Sequence, residues 1–337
     1  GTMHMMGFEE CATTGLSALT EDIVRSSEIE GELLNVAQVR SSIARRLGID
    51  VPDGVPSTRN VDAVVEMTLD ATLHCHAPLT AERLQGWHAA LFPTGFSGMY
   101  RIEAGRYRTG AMQVVSGAMG RERVHYEAPS PERVAGEMES FLSWFESQEA
   151  RSLPPVLYAA MAHWWFIMIH PFDDGNGRIA RALSDMALAR GMAAEWGEAG
   201  RPYSLSAQIL KEKHEYYRLL ERDGYGEGDL TEWMLWFIGC LQHAVEATTH
   251  VVDSARAKAR FWQQHAATPL NPRQQKMINR LFDGIDGKLT TSKWAKMCHC
   301  SQDTALNDIK ALLAHGILQP GSEGGRNTNY LLVPHNL

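Results

Sequence analysis

The sequence predicts an all-α protein with one short β-hairpin and a small winged helix-turn-helix segment at its C-terminal end. Three observations carry this. Helical periodicity and good helix formers dominate the first 260 residues. A single stretch there, GRYRTGAMQVVSG at 105–117, has the Tyr, Thr and paired Val flanked by glycines that mark a hairpin. From Asn271 a new unit begins, with segments that read helix, helix, helix and β-wing.

In chain order, helices are expected over about 19–35, 61–74, 80–91, 131–147, 154–169, 178–190, 206–221 and 230–265. Pro171 ends the helix over 154–169, because proline lacks an N–H and disfavours helix in the residue before it. Gly191 is expected as the C′ residue that stops RIARALSDMALAR. Beyond ARAKARFWQQHAATPLNP, a linker, Asn271 and Pro272 are the N-cap and first residue of the helix PRQQKMINRLF. LTTSKWAKMC, SQDTALNDIKALLAHG and ILQPGSEGGRNTNYLLV then supply two helices and the wing.

Composition narrows the function. The 337 residues are 44% hydrophobic with a net charge of −8, which is globular and unlike a nucleic-acid-coating protein. Five cysteines are too few and too scattered for a disulfide framework, and their odd number fits a reducing compartment. Cys298-His299-Cys300 is half a zinc site with no second pair at metal spacing. No apolar run approaches the roughly 20 residues that cross a bilayer, and no signal peptide opens the chain, so a cytoplasmic protein is expected. Residues 1–6 read as a cloning scar.

The chemistry concentrates in HPFDDGNGRIAR at 170–181. Gly175, Asn176 and Gly177 stand directly before a strong helix, where backbone N–H groups converge and the helix start adds positive charge. Arg178 and Arg181 are three apart and share one face of the first turn, a pairing suited to polyphosphate. Asp174 is a hard oxygen ligand of the kind that holds Mg²⁺ beside phosphates. His170 has the side chain whose ordinary pKa suits proton abstraction near neutrality. An EF-hand loop fails because Ile179 stands where glycine is required, and a P-loop fails because no Gly-Lys-[Ser/Thr] follows. By residue chemistry alone, a phosphate site is only slightly favoured over a plain turn. His163, on the preceding helix, reads as a packed core histidine.

HPFDDGNGRIAR resembles the Fic-domain signature HxFx[D/E]GNGRxxR and matches it at every specified position. GRYR at 105–108, EAPSPERV, EYYRLL and GDLTEW extend the resemblance over about 26–241. It implies a Fic helical core, and enzymes of this family usually transfer AMP from Mg-ATP to a protein Ser, Thr or Tyr hydroxyl. By that resemblance His170 is the general base and Phe172 a buried anchor. Asp174 holds Mg²⁺, and Gly175, Asn176 and Gly177 form the anion hole. Arg178 supports the phosphates, and Arg181 reaches the γ-phosphate. Met112, Val114 and Val115 belong to a flap that docks the target segment by strand addition, and Tyr217 lines the adenine pocket. The asparagine that often follows in the family is replaced here by Asp223-Gly224.

SSEIEGE at 26–32 resembles the family's inhibitory motif, with Ser26, Glu30 and Gly31 in the defining places. The resemblance implies that Glu30 pairs with Arg181 and keeps ATP from its productive pose. The resulting organisation is a helical region over 7–100 carrying the inhibitory helix, a Fic core over 101–250, a linker helix over 251–270 and a winged helix over 271–337. The same site run as a de-AMPylase is one alternative. The other is a DNA-binding regulator whose Fic site modifies only itself. In the last segment Asp303 and Asp308 stand against a lone Lys310, with Arg326 in the wing, so a DNA partner and a protein partner stay equally open. Pairing into a homodimer is a further implication of the resemblance.

Overall fold

The computed structural model describes residues 8–49, 54–116, 123–196, 201–224, 228–282, 285, 287–321 and 329–333. They fall into two units, Gly1–Ala247 and Thr248–Leu337. In the first, α1 (Phe8–Ile29), α2 (Val36–Leu47), α3 (Arg59–Leu73) and α4 (Ala81–Leu91) precede two antiparallel hairpins. These are β1 (Phe96–Ser97) with β2 (Tyr100–Arg101), and β3 (Gln113–Ser116) with β4 (Arg123–Glu127). Then come α5 (Pro131–Glu146), α6 (Gln148–Arg151), α7 (Pro155–Ile169), α8 (Asn176–Trp196), α9 (Leu205–Lys211) and α10 (Lys213–Gly224). α11 (Thr231–Gln264) crosses the boundary between the units.

α7 and α8 form the centre of the first unit. α7 is apolar on every face, the pattern of a helix with no solvent side, and Phe166, Ile167 and Ile169 are buried. α8 buries Ile179, Leu183, Met186 and Leu188 against it. His163 is fully buried between them, with Nδ1 at 2.9 Å from Ser184 Oγ and Nε2 at 3.0 Å from Tyr216 Oη.

Several boundaries differ from the sequence expectation, each for a physical reason. The helix expected over 19–35 is α1, which starts at Phe8 and stops at Ile29. Gly31 adopts φ +84°, and the N–H groups of Gly31 and Glu32 return to the carbonyls of Glu28 and Ser27 at 3.0 and 2.9 Å. That is a Schellman ending, which makes Glu30 the C-cap. Asn35 then caps α2, accepting from the Gln38 N–H at 3.1 Å; α2 itself was not expected. Gly191 does not stop α8. It lies inside the helix, where a Cβ would collide with the Pro155 ring, so close packing of α7 on α8 explains this glycine. The helix expected over 206–221 breaks at Glu212. Among the described residues of the hairpin segment only 113–116 is strand, and GRYR is loop.

α1 is fastened by a buried polar group. Asp22 accepts from Ser204 Oγ and the Ser206 N–H at 2.8 and 2.9 Å. Its other oxygen lies 2.8 Å from Arg201, whose guanidinium also pairs with Asp185 on α8 at 2.6 Å.

In the second unit α12 (Pro272–Phe282), α13 (Thr291–Cys298) and α14 (Gln302–Ala314) precede a hairpin of β5 (Leu318–Pro320) and β6 (Tyr330–Leu332). Asn271 and Gln274 cap α12 reciprocally at 3.0 and 2.9 Å. Trp294, Met277, Ile309 and Leu312 form a separate core. Asp308 is buried and taken by Arg273 and Asn271, so its charge is spent inside the unit. Arg326 lies outside the described residues. Among the described residues no helix is long and apolar enough to cross a membrane.

Candidate active site

The site forms where α7 ends and α8 begins. Pro171 prevents α7 from continuing, and His170 becomes its C-cap at φ 48°, ψ 59°, a left-handed conformation uncommon outside glycine. Arg108 holds the turn in place. Its backbone N–H donates to the Pro171 carbonyl at 2.9 Å, and its Nε donates to the His170 carbonyl at 2.8 Å. The same guanidinium reaches the carbonyls of Gly110 and Pro129 at 2.8 and 2.6 Å, tying this turn to the segments on either side of the β3–β4 hairpin. His170 Nδ1 lies 3.2 Å from the Ile167 carbonyl, an acceptor only, so Nδ1 carries the proton and Nε2 the lone pair. Burial pushes the His170 pKa below its ordinary value, more than the Ile167 carbonyl raises it.

Phe172 is fully buried and stacks on His88 with centroids 4.2 Å apart and rings 8° from parallel. His88 is held neutral, its pKa lowered to about 4 by burial, and its Nδ1 accepts the Gly105 N–H at 2.8 Å. Asn176 spans the loop from inside: its side chain accepts the Phe172 N–H at 3.1 Å and donates to the Phe172 carbonyl at 2.8 Å. Its side chain is therefore structural, and only its backbone N–H remains to serve an anion.

Gly175 caps α8, since its carbonyl accepts the Ile179 N–H at 3.0 Å. The N–H groups of Asn176, Gly177 and Arg178 thus form the first turn, where a helix leaves its amides without internal partners. Gly175 itself needs φ +78°, and a Cβ there would lie 2.9 Å from Phe92 Cε2. Gly175→Ala is expected to lower stability by about 1–3 kcal/mol through left-handed strain and overlap. Chemical denaturation checks this; an unchanged midpoint contradicts it.

Of the two aspartates, Asp173 accepts the Glu103 N–H at 2.9 Å and so serves the loop. Asp174 points elsewhere, bonded to its neighbour's N–H at Gly175 and to Ser97 Oγ. A single carboxylate beside phosphate ligands suits Mg²⁺, which keeps several waters and leans on substrate oxygens. Among the described residues no three His, Cys, Asp or Glu side chains converge to hold a metal alone.

Arg181 is 2% exposed. Its Nε and Nη2 donate to Ser26 Oγ and the Ser26 carbonyl at 2.8 and 2.9 Å, and Nη2 meets Glu30 at 2.7 Å. The carboxylate of Glu30 lies directly over Gly177, where a Cβ would overlap it. A carboxylate therefore sits on the first turn of α8, between the helix start and Arg181. Tyr217 stands nearby, 40% exposed, with its pKa pushed up to about 12 by burial and then by Glu30, and with Lys213 over its ring at 5.7 Å. Lys213 also donates to the Ile29 carbonyl at 2.6 Å, closing the end of α1.

The structure thus brings together His170, Asp174, the 175–178 turn, Arg181, Ser26, Glu30, Gly31 and Tyr217. Val114 and Val115 pair by backbone with Tyr126 and Val124 respectively, but their side chains lie outside the described residues. Met112 extends that ladder, its carbonyl accepting the Ala128 N–H at 3.0 Å. Sequence reasoning missed Ser97, Arg108, His88 and Glu32. Of these, Glu32 had a local signal as the second carboxylate of EGE, and Arg108 closed the GRYR stretch without its role being legible.

Fold and site define a helical domain in which a helix start lies beside a histidine and two arginines. Residues 78–188 match the model of the Fic/DOC family, and residues 1–49 match that of a domain of unknown function, DUF4172. The chain carries a Fic/DOC family domain. It is 25% identical over 244 residues to the protein adenylyltransferase Fic of Nematostella vectensis, covering 68% of this chain and 48% of that protein. The Aedes aegypti protein adenylyltransferase Fic is 28% identical over 231 residues, covering 68% and 41%. The chain therefore spans less than half the length of these relatives. Its fold is shared with a Fic family protein from Desulfovibrio desulfuricans G20, at a TM-score of 0.51 and 21% identity, covering 97% of this chain and 88% of that one. A Fic domain containing signaling protein from Bacteroides thetaiotaomicron VPI-5482 superposes at a TM-score of 0.54 and 20% identity, covering 76% and 94%.

Proposed function

We propose that the chain is a protein adenylyltransferase that moves AMP from ATP to a protein Ser, Thr or Tyr hydroxyl, and that Glu30 restrains it. The observation that carries this reading is the Glu30 carboxylate resting on Gly177 and Arg181. A side-chain anion held there supports the reading that a substrate anion binds in the same place. The named relatives support AMP as the group transferred.

The target hydroxyl attacks the α-phosphorus, and pyrophosphate leaves. His170 Nε2 takes the hydroxyl proton, which its Nδ1–H tautomer permits. The amides of 176–178 and Arg178 stabilise the phosphate charge, and Arg181 takes the γ-phosphate once Glu30 gives way. Asp174, steadied by Ser97, would hold Mg²⁺, which would neutralise phosphate charge. β4 lies against α10, and among the described residues β3 pairs only with β4, so the target segment adds along β3 beside Met112. Tyr217 flanks the adenine. Cytoplasmic placement, expected from composition, belongs to the same proposal.

Incubation with ATP labelled at either the α- or the γ-phosphate tests the reaction class. Label retained from the α-phosphate alone supports AMP transfer, whereas γ-label on protein overturns it. The pH dependence follows from His170. The base acts when neutral, and its pKa is lowered from 6.5. The labelling rate is expected to reach half its alkaline plateau at a pH below 6.5 and to fall only on the acid side. A half-maximal rate above 6.5 contradicts His170 as the titrating base.

A further inference from the structure

The ending of α1 delivers two carboxylates, not one. Because Gly31 turns the chain at φ +84°, the residues on either side of it both face the first turn of α8. Glu30 meets Arg181, and Glu32 Oε2 meets Arg178 Nη1 at 3.0 Å. The geometry points to Glu32 as a second inhibitory latch, which occupies the first phosphate arginine, Arg178, as Glu30 occupies Arg181. This inference rests on reading the turn as the nucleotide seat.

An ordinary surface ion pair has both partners in water, and this one does not. The Arg178 side chain is 7% exposed, its guanidinium lies 5.1 Å over the Phe92 ring, and its Nε is buried without a hydrogen bond. A buried cation at a helix start demands an anion, and Glu32 is the carboxylate that meets it. The aim of Glu32 is also set from elsewhere, since its other oxygen accepts from Asn60 Nδ2 on α3. A neutral amide as second partner orients the carboxylate without discharging it.

The two latches differ in strength. The Glu30 carboxylate meets a guanidinium that is 2% exposed and that Ser26 already grips twice. Glu32 and Glu30 are about equally exposed, 33% and 31%, so the difference lies in the arginines. Arg178 is 7% exposed and lacks the double grip that Ser26 gives Arg181, and Glu32 can swing into solvent when a phosphate arrives. It therefore weakens binding without blocking it, and its effect is masked while Glu30 is present. Removing Glu30 alone leaves the seat still half guarded.

The test is ATP affinity by calorimetry on the full chain, in the Glu30→Gly background, with and without Glu32→Gln. Asn60→Ala in the same background serves as a second variant that leaves the carboxylate intact but unaimed. Glu32→Gln is expected to tighten ATP by about threefold to tenfold, the range for freeing a partly exposed ion pair and removing a like charge. Asn60→Ala is expected to give a smaller change of the same sign. If Glu30→Gly binds ATP and neither added substitution tightens it, the second latch is overturned and the nucleotide seat stands. If no variant binds ATP, the seat itself falls, and the latch with it.

Discussion

His170→Ala, introduced into the Glu30→Gly background, is expected to cut the labelling rate by about 10²–10⁴-fold, the loss typical of removing a positioned general base. Binding of ATP should change little, because His170 belongs to the end of α7 and contacts the α8 turn only through the shared loop. The split matters: a lost rate with retained affinity marks a group acting in the transition state rather than in assembly. His170→Asn keeps the polar contact to the Ile167 carbonyl, and it should be as inactive as alanine because it cannot take the proton. Labelling that survives either substitution within threefold, an order-of-magnitude threshold well below the usual loss of a base, excludes His170 from proton transfer.

Glu30→Gly is expected to raise the labelling rate by about 10–100-fold. Displacing a charge-assisted contact of about 1.5–3 kcal/mol is what the γ-phosphate otherwise has to do. The variant also removes the counter-charge from a guanidinium buried to 2% exposure. Its stability without nucleotide should therefore drop, and ATP should raise its unfolding midpoint by more than it raises that of the parent. Glu30→Gln, which keeps the shape of the C-cap and loses the charge, should fall between the two. Equal rates in all three proteins would sink the autoinhibitory reading, and a thermal shift assay run alongside separates that outcome from misfolding.

Much of the site was legible because it is local. HPFDDGNGRIAR holds the histidine, the metal-type aspartate, the amide turn and both arginines within one helix-turn-helix junction. Pro171 and the glycines fix its geometry with residues that are neighbours in sequence. Glu30 and Ser26 were found by the resemblance, which supplied the long-range pairing that spacing alone cannot. The end of α1 was misplaced because SEIEGELLN has good helix formers on both sides of Gly31, and a single glycine can be tolerated or terminal. Gly191 failed the other way. It looks terminal by sequence, but the approach of Pro155 from another helix is what requires it. Arg108, Ser97 and Asp22 were illegible for one reason: each acts on a partner more than 60 residues away, and nothing in its own neighbourhood announces that partner.

The buried union of Asp22, Arg201 and Asp185 has a consequence for how restraint is relieved. It fastens α1 about two turns upstream of Glu30, with both carboxylates out of water. Peeling the whole helix away would take Asp22 from the buried Arg201 as well as Glu30 from Arg181, whereas rotating the Glu30 side chain frees only Arg181, whose charge an arriving phosphate can meet. Activation is therefore cheapest as a change confined to that last turn. On the proposed reading, a partner that relieves Glu30 needs only a small footprint there, and the remainder of α1 stays part of the scaffold.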